Sequence, residues 1–208
     1  MMEYLPGFIA AYAILLIGAS SPGPAVAMLL GLASSSGRSA ALVASLGIAF
    51  GSVVLNLGTM AGVGLLLTQA AWAMTILKFV GAAYLAWLAY GAFRKAAKPP
   101  EVTKIAMPKR SLAKAFSYGF LLQATNPKAL FFWLAIAAVG ATQGGGPLVV
   151  AAFVIGAFVI SFGCHAAWAL LLSSAPARRV YATGRRWIEA GLGALFATFA
   201  IRLAMERI

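Results

Sequence analysis

The chain has 208 residues, of which 62% are hydrophobic and 10% are charged, and its formal net charge is +12. Soluble domains carry about 25% charged residues, and a core of this size cannot bury so many apolar side chains, so the composition excludes a soluble globular protein. The single cysteine excludes a disulfide framework within the chain. Because the apolar runs are continuous rather than alternating, the sequence predicts a membrane protein built from helices rather than a barrel.

Six apolar runs are each long enough to cross a bilayer, which takes about 20 helical residues. In chain order the predicted spans are Leu5–Ala33, Ala40–Leu67, Trp72–Phe93, Ala115–Val139, Leu148–Ser173 and Trp187–Leu203. Glycine, proline and serine mark the connections between them. The N-terminus has no basic segment, and Glu3 stands where one would be, so the first run is interpreted as a retained span rather than a cleaved signal peptide.

The basic residues lie in the connections rather than along one soluble face, which argues against a nucleic-acid partner. Arg38 lies in the first connection, seven lysines and arginines fall between 94 and 114 in the third, and the second and fourth have none. The fifth connection contains Arg178, Arg179, Arg185 and Arg186. Because positive connections mark the cytoplasmic side, both termini are predicted outside. We expect the third connection to contact anionic lipid headgroups.

The two halves of the chain resemble each other. A shift of 105 residues places Pro22 on Pro127 and Gly51 on Gly156. Three spans per half would make the halves cross the membrane in opposite directions, the inverted-repeat plan of many secondary transporters. The predicted fold is therefore all-α, a single transmembrane domain over residues 1–208. Repeat 1 covers about 1–95, the basic loop about 94–114 and repeat 2 about 115–208, with helices 1 and 4 broken at proline motifs.

Two proline motifs occupy equivalent positions in the first and fourth spans. They are Ser20-Ser21-Pro22-Gly23-Pro24 and Thr125-Asn126-Pro127-Lys128. Proline removes an amide donor and clashes with the preceding turn, so each motif should break or kink its helix. Ser21 and Asn126 suit N-cap positions, where a side-chain oxygen accepts the amides of a new helix start.

A half-helix that begins inside the membrane presents unpaired amides and a partial positive charge, which attract a carboxylate. Lys128 would add a full positive charge to one break. We therefore expect the carboxylate of a small zwitterion to bind there, and the predicted substrate-binding residues are Ser21, Pro22, Gly23, Pro24, Gln123, Thr125, Asn126, Pro127 and Lys128. The alternative is that both prolines only kink packed helices, which membrane proteins tolerate.

Four further polar residues within the spans are candidates for coupling or gating, and each has a structural alternative. The long stem of Lys78 can reach the outer interface, and Glu189 can pair with a neighbouring arginine. His165 titrates near neutral pH, although a lone histidine is more often a packing residue. Asn56 lines a cavity in one interpretation and forms a hydrogen bond between helices in the other.

Several separated motifs occur in order along the chain. They are Ser21-Pro22-Gly23-Pro24, Gly37-Arg38 ahead of Gly47 and Gly51, Lys78-Phe79-Val80-Gly81-Ala82-Ala83-Tyr84-Leu85, and Asn126-Pro127-Lys128-Ala129 with Phe131-Phe132. In these motifs the chain resembles the LysE/RhtB family of amino-acid exporters, and the Ser-Pro-Gly-Pro form is similar to its RhtB branch. The resemblance implies efflux of homoserine-, threonine- or leucine-like substrates across the bacterial inner membrane, by alternating access driven by the proton-motive force.

Other functions fit the residues less well. A metal-ion permease needs carboxylates, thiolates or imidazoles, and the spans hold one cysteine, one histidine and almost no acid. An enzyme needs positioned acid–base groups, and the chain has no aspartate. An accessory membrane protein explains the spans but not two matched breaks. We expect a transporter with no cofactor and no metal, and small-residue pairs such as Gly47 and Gly51 permit a homo-oligomer without requiring one.

Overall fold

The computed structural model describes residues 2–69, 71–98 and 111–205, without the side chains of 63–69, 71–74, 77 and 78. Much of the basic third connection, residues 99–110, therefore lies outside the described part. The regular structure of the described residues is helical, as predicted. After a short 3-10 turn at Met2–Tyr4, the helices are α1 Leu5–Ser20, α2 Pro24–Ser35, α3 Arg38–Gln69, α4 Ala71–Ala97, α5 Leu112–Ala124, α6 Pro127–Ala138, α7 Pro147–Ser173 and α8 Ala175–Met205.

Within the described residues, four helical stretches are long and apolar enough to cross a membrane. They are Met2–Ser20, Arg38–Gly62, Pro147–Ser173 and Ala175–Met205, and α2 and α6 are shorter apolar helices. Large aliphatic side chains on these helices point outward, among them Leu16, Val54, Ile155, Val159 and Leu171. Such side chains can face lipid tails, which are themselves apolar, without being buried by other parts of the protein.

The fifth connection is much shorter than the predicted spans leave for it. Only Ser174 separates α7 from α8, and α8 begins at Ala175, twelve residues before the predicted span. Pro176 does not prevent this, because the first-turn amides of a helix have no intrahelical acceptor to lose. The four arginines predicted for a loop consequently lie on the first turns of α8. The turns at Gly37 and Gly144 do form as predicted, with φ angles of 85° and 76° that favour glycine.

One compact unit contains the described residues of 1–63 and 104–175. In it α7 packs against α1 and α2, while α1 also contacts α6 and α2 contacts α5. One apolar cluster, around Leu29, Leu32 and Ile48, joins α2 to α3. A second, around Trp133 and Phe153, joins α6 to α7 and also includes α1 side chains.

Helices α3 and α5 approach each other through their glycines. A Cβ atom built on Gly47 would lie 2.1 Å from the carbonyl oxygen of Phe116, and one built on Gly119 would lie 2.2 Å from that of Ala44. Gly51 is similarly close to the Phe120 carbonyl, at 2.8 Å. The small-residue pair noted in the sequence therefore serves packing within the chain, because only the absence of a side chain permits backbones to come this close.

A second compact unit contains the described residues of 64–103 and 176–208, and includes α4 and most of α8. These helices run antiparallel: Phe93 covers Gly193, and Leu203 lies beside Gly81. Glu189 is buried on α8, with Oε1 3.7 Å from Nε of Arg185 one turn earlier. Glu189 thus has the neighbouring arginine that its structural interpretation requires. Lys78 belongs to α4, and its side chain lies outside the described part.

Candidate functional site

The first proline motif separates α1 from α2 completely. Ser21 has an extended backbone, with φ −76° and ψ 132°, as expected before a proline. Its amide donates to Ile17 O at 3.0 Å and its hydroxyl donates to Gly18 O at 2.8 Å. Ser21 therefore closes the end of α1, and its prediction as an N-cap is wrong. The N-cap of α2 is Gly23, which has no side chain to accept an amide.

The second motif separates α5 from α6. Here the N-cap prediction is confirmed, because Asn126 Oδ1 accepts a 3.1 Å hydrogen bond from the Lys128 amide. Thr125 instead turns back along its own helix, where its hydroxyl donates to Leu121 O at 2.8 Å, and it is exposed. The two breaks therefore differ: the amides at the start of α6 have a side-chain cap, and those of α2 have none.

Lys128 connects the two breaks. Its Nζ donates to Ser21 O at 3.0 Å and also contacts Ser21 Oγ, and it lies 5.9 Å from the centre of the Phe132 ring. A Cβ atom on Gly23 would be 3.3 Å from Nζ. Carbonyls at the end of a helix carry partial negative charge, so the ammonium group stabilises the end of α1. The cation also lies beside the first turn of α2.

A cavity of about 40 Å³ lies between the breaks. Its polar lining includes Ser21, Ser52, Gln123, Asn126, Lys128, Ser161 and His165, and Gly23, Pro24, Ala25 and Val26 contribute the start of α2. Leu15, Phe132 and Trp133 are among its apolar neighbours. A volume of this size holds a few water molecules. Six of the nine predicted substrate residues line it, and Pro22, Thr125 and Pro127 do not.

A hydrogen-bonded cluster lies among the other lining residues. Gln123 Nε2 donates to Ser52 Oγ at 2.9 Å, and Ser52 Oγ shares a hydrogen bond of 3.1 Å with Ser161 Oγ. His165 Nδ1 lies 2.7 Å from the carbonyl oxygen of Ser161. A carbonyl only accepts, so Nδ1 carries the hydrogen, and Nε2 of the neutral ring keeps its lone pair. We call Ser52, Gln123, Ser161 and His165 the polar cluster.

Sequence reasoning missed Ser52 and Ser161. The signal for them is helical spacing: Ser45, Ser52, Asn56 and Thr59 recur on one face of an apolar helix, and Ser161 precedes His165 by one turn. Asn56 itself is buried but does not line the cavity. Within the described residues, neither its side-chain oxygen nor its nitrogen has a hydrogen-bond partner.

The described residues include no group of three or more histidine, cysteine, aspartate or glutamate side chains placed to hold a metal ion. The charge in the cavity comes instead from Lys128. The polar cluster that lines the same cavity is made of neutral hydrogen-bonding groups. This arrangement has one cationic side and one neutral polar side, which suits a small molecule with a carboxylate and other polar groups.

The family model for LysE type translocators matches residues 16–207. The chain belongs to the LysE type translocator family. Threonine efflux proteins of Escherichia coli K12 and Salmonella typhi are 30% and 31% identical to this translocator over 199 residues, which cover 92% of its chain and 94% of each relative. The uncharacterized membrane protein YahN of Escherichia coli K12 is 27% identical over 195 residues, covering 90% of this chain and 84% of that relative.

No solved structure matches this translocator. The family match confirms the resemblance to amino-acid exporters seen in the motifs, and it makes the protein a membrane transporter rather than an enzyme.

Proposed function

We propose that this translocator exports small neutral amino acids, of the threonine, homoserine or leucine kind, through the cavity between its two helix breaks. The observation that carries the proposal is the position of Lys128, whose ammonium group joins the two breaks and lines the cavity. The similarity to threonine efflux proteins supports an amino acid as the cargo.

The carboxylate of the substrate binds at the start of α2. Because Gly23 provides no cap, the first-turn amides of Ala25 and Val26 have no side-chain cap, and both residues line the cavity. These amides carry the partial positive charge of a helix N-terminus, and Lys128 adds a full charge beside them. The ammonium of Lys128 then exchanges its contact with the Ser21 carbonyl for the stronger contact with a carboxylate.

The lining also favours substrates without net positive charge. Among the described residues that line the cavity, none is an aspartate or glutamate. A lysine-like substrate would bring a second cation next to Lys128 with no carboxylate to offset it, and like charges in a low-dielectric site repel strongly. The polar cluster offers neutral oxygen and nitrogen acceptors, which are enough to bind the single ammonium group of a neutral amino acid.

The wider arrangement is part of the same proposal. The six apolar runs cross the bacterial inner membrane as two inverted three-helix repeats in one domain, with both termini outside. The paired breaks at equivalent chain positions support this arrangement, and inverted repeats provide alternating access around a central site. Export against a gradient draws on the proton-motive force, and oligomerisation is compatible with this scheme but is not part of it.

Efflux from intact cells tests the proposal. Cells that overproduce the protein are loaded with threonine-, homoserine-, leucine- or lysine-containing dipeptides, and release of each free amino acid is measured. We expect faster release of a neutral amino acid by wild type, loss of that release in Lys128→Ala, and retention in Lys114→Ala, which removes an exposed lysine at the start of α5. Membrane levels of all three are compared by immunoblot.

Release that survives Lys128→Ala would leave an exporter but discard this site. The absence of accelerated release of every amino acid tested would contradict the exporter itself.

A further inference from the structure

We propose that Nε2 of His165 is the atom at which a proton and the ammonium group of the substrate compete, so that each substrate molecule leaves in exchange for one proton. The inference rests on the proposed function, because it assigns a role to a second side of the same cavity. It identifies the coupling residue and the way in which coupling arises.

The geometry of His165 leaves one nitrogen for this role. The side chain is 4% exposed on α7 and lines the same cavity as Lys128. Its Nδ1–H is fixed on the Ser161 carbonyl at 2.7 Å, which holds the ring and sets the tautomer. The lone pair of Nε2 is then the acceptor that the neutral ring offers to a proton or to an ammonium group.

The surroundings contain few competing titratable groups. On α1, Tyr12 donates to Phe153 O, three turns before His165 along α7, and on α7 itself Cys164 contacts the hydroxyl of Ser20. Helix α2 contributes no acidic or basic side chain, and the cavity-lining side chains of α3 and α5 are the neutral Ser52 and Gln123. Lys128 on α6 is the charged side chain that shares the cavity with His165.

These groups make binding of the two cations mutually exclusive. A neutral His165 accepts a hydrogen bond from the substrate ammonium while Lys128 and the start of α2 hold the carboxylate. A protonated His165 has no lone pair to offer, and its charge repels the ammonium. Substrate that enters from the cytoplasm therefore displaces the proton from Nε2 into the cytoplasm, and a proton from outside takes its place after release. One proton enters for each amino acid that leaves.

Transport assays on purified protein in liposomes measure substrate exchange separately from its coupling to a proton gradient. His165→Gln keeps a polar side chain of similar reach that does not titrate, and Cys164→Ala is the control at the neighbouring position. With labelled L-threonine, L-homoserine and L-leucine, we expect counterflow by His165→Gln without a pH gradient to be slower than that of wild type and to become independent of pH. We expect the variant to lose accumulation driven by an imposed pH gradient, so that the accumulation ratio falls to about 1 while Cys164→Ala behaves as wild type.

A measurement on wild type alone gives a second test that does not depend on folding of the variant. If a proton and the substrate compete at His165, substrate binding to the protein in a weakly buffered detergent solution releases up to one proton. Competition also predicts that the apparent Kd for substrate rises as pH falls. In the range where His165 is protonated in the free protein, the rise is up to about tenfold for each pH unit. The probes are the same three amino acids, between about pH 4.5 and pH 8.

The outcomes distinguish the two proposals. Gradient-driven accumulation by His165→Gln, or wild-type binding that is independent of pH and releases no proton, would overturn the role of His165 and leave the exporter intact. Failure of wild type to bind or exchange any of the three amino acids would overturn the proposed function, and this inference with it.

Discussion

The ammonium group of Lys128 donates a 3.0 Å hydrogen bond to the backbone carbonyl of Ser21, which precedes it by 107 residues. The bond joins the helix break of one half of the chain to the helix break of the other. It places the cation at the end of α1, where the terminal carbonyls are partly negative, and beside the start of α2, where amides are partly positive. Under the proposed function, a carboxylate that binds at α2 competes with the Ser21 carbonyl for the donors of Lys128, so substrate binding and the contact between the breaks are linked.

The close approach of α3 and α5 predicts that alanine is not tolerated at their shared glycines. In Gly119→Ala the new methyl group would lie 2.2 Å from the Ala44 carbonyl, and in Gly47→Ala it would lie 2.1 Å from that of Phe116. Backbone atoms cannot rotate away, so we expect each change to cost at least about 1–3 kcal/mol. Thermal unfolding of the detergent-purified protein measures this.

Gly58→Ala is the matched control on α3, because a Cβ atom there meets no atom of the described residues within 4 Å. It should leave the melting temperature unchanged or raise it, since alanine favours helix over glycine by about 1 kcal/mol. Equal melting temperatures for Gly119→Ala and Gly58→Ala would contradict the packing described for α3 and α5.

Gly23→Ala should impair transport more than stability. The backbone of Gly23 is extended, with φ −170° and ψ −165°, a conformation open to alanine, but the methyl group would lie 3.3 Å from Lys128 Nζ. Displacement of the cation by a few tenths of an ångström should slow export several-fold, because misplacement of a binding group by 1 Å can cost about a hundredfold. Loss of the glycine N-cap should cost less than about 1 kcal/mol.

The control for Gly23→Ala is Gly163→Ala on α7, where a new Cβ atom would have no atom of the described part of the chain within 4 Å. Initial efflux rates normalised to membrane level provide the comparison. Wild-type efflux from Gly23→Ala would show that the position of Lys128 does not limit transport.

Ser52→Ala should destabilise the protein more than Ser45→Ala, although both serines are buried on α3. Ser52 is hydrogen-bonded to both Gln123 and Ser161, whereas the hydroxyl of Ser45 donates to Ala41 O of its own helix. Removal of Ser52 Oγ leaves two partners on other helices unsatisfied. An average hydrogen bond between membrane helices is worth about 0.6 kcal/mol, so we expect the free energy of unfolding to fall by about 1–2 kcal/mol. Melting temperatures measured in one detergent test this, and an equal loss in the two variants would count against the polar cluster.

Much of the fold follows from local chemistry that the sequence displays. Apolar runs and turn residues predict the helices, and proline predicts the interruptions at Pro22 and Pro127, because the loss of an amide donor does not depend on tertiary contacts. Proline misleads at Pro176, since in the first turn of a helix its missing amide has no cost. Whether a proline ends, starts or interrupts a helix depends on the residues on both sides.

The site was predictable only in part, for a physical reason. Lys128 and Asn126 stand out because polar residues beside a break in an apolar run are uncommon. Ser52 and Ser161 do not, because a serine within a membrane helix can satisfy its hydroxyl on its own backbone, as Ser45 does. The hydrogen bond between Ser52 and Ser161 joins residues 109 apart, so only the packing of α3 against α7 reveals it.

Competition by a substrate analogue tests most directly the central claim that Lys128 and the start of α2 bind a carboxylate. Counterflow of labelled L-threonine by wild-type protein in liposomes is measured against unlabelled L-threonine and L-threonine amide, which differ in the carboxylate but share the ammonium and side chain. We expect L-threonine to compete at least about a hundredfold better, because a charge-assisted carboxylate contact is worth about 3 kcal/mol. Equal competition by the amide would contradict carboxylate binding at this site.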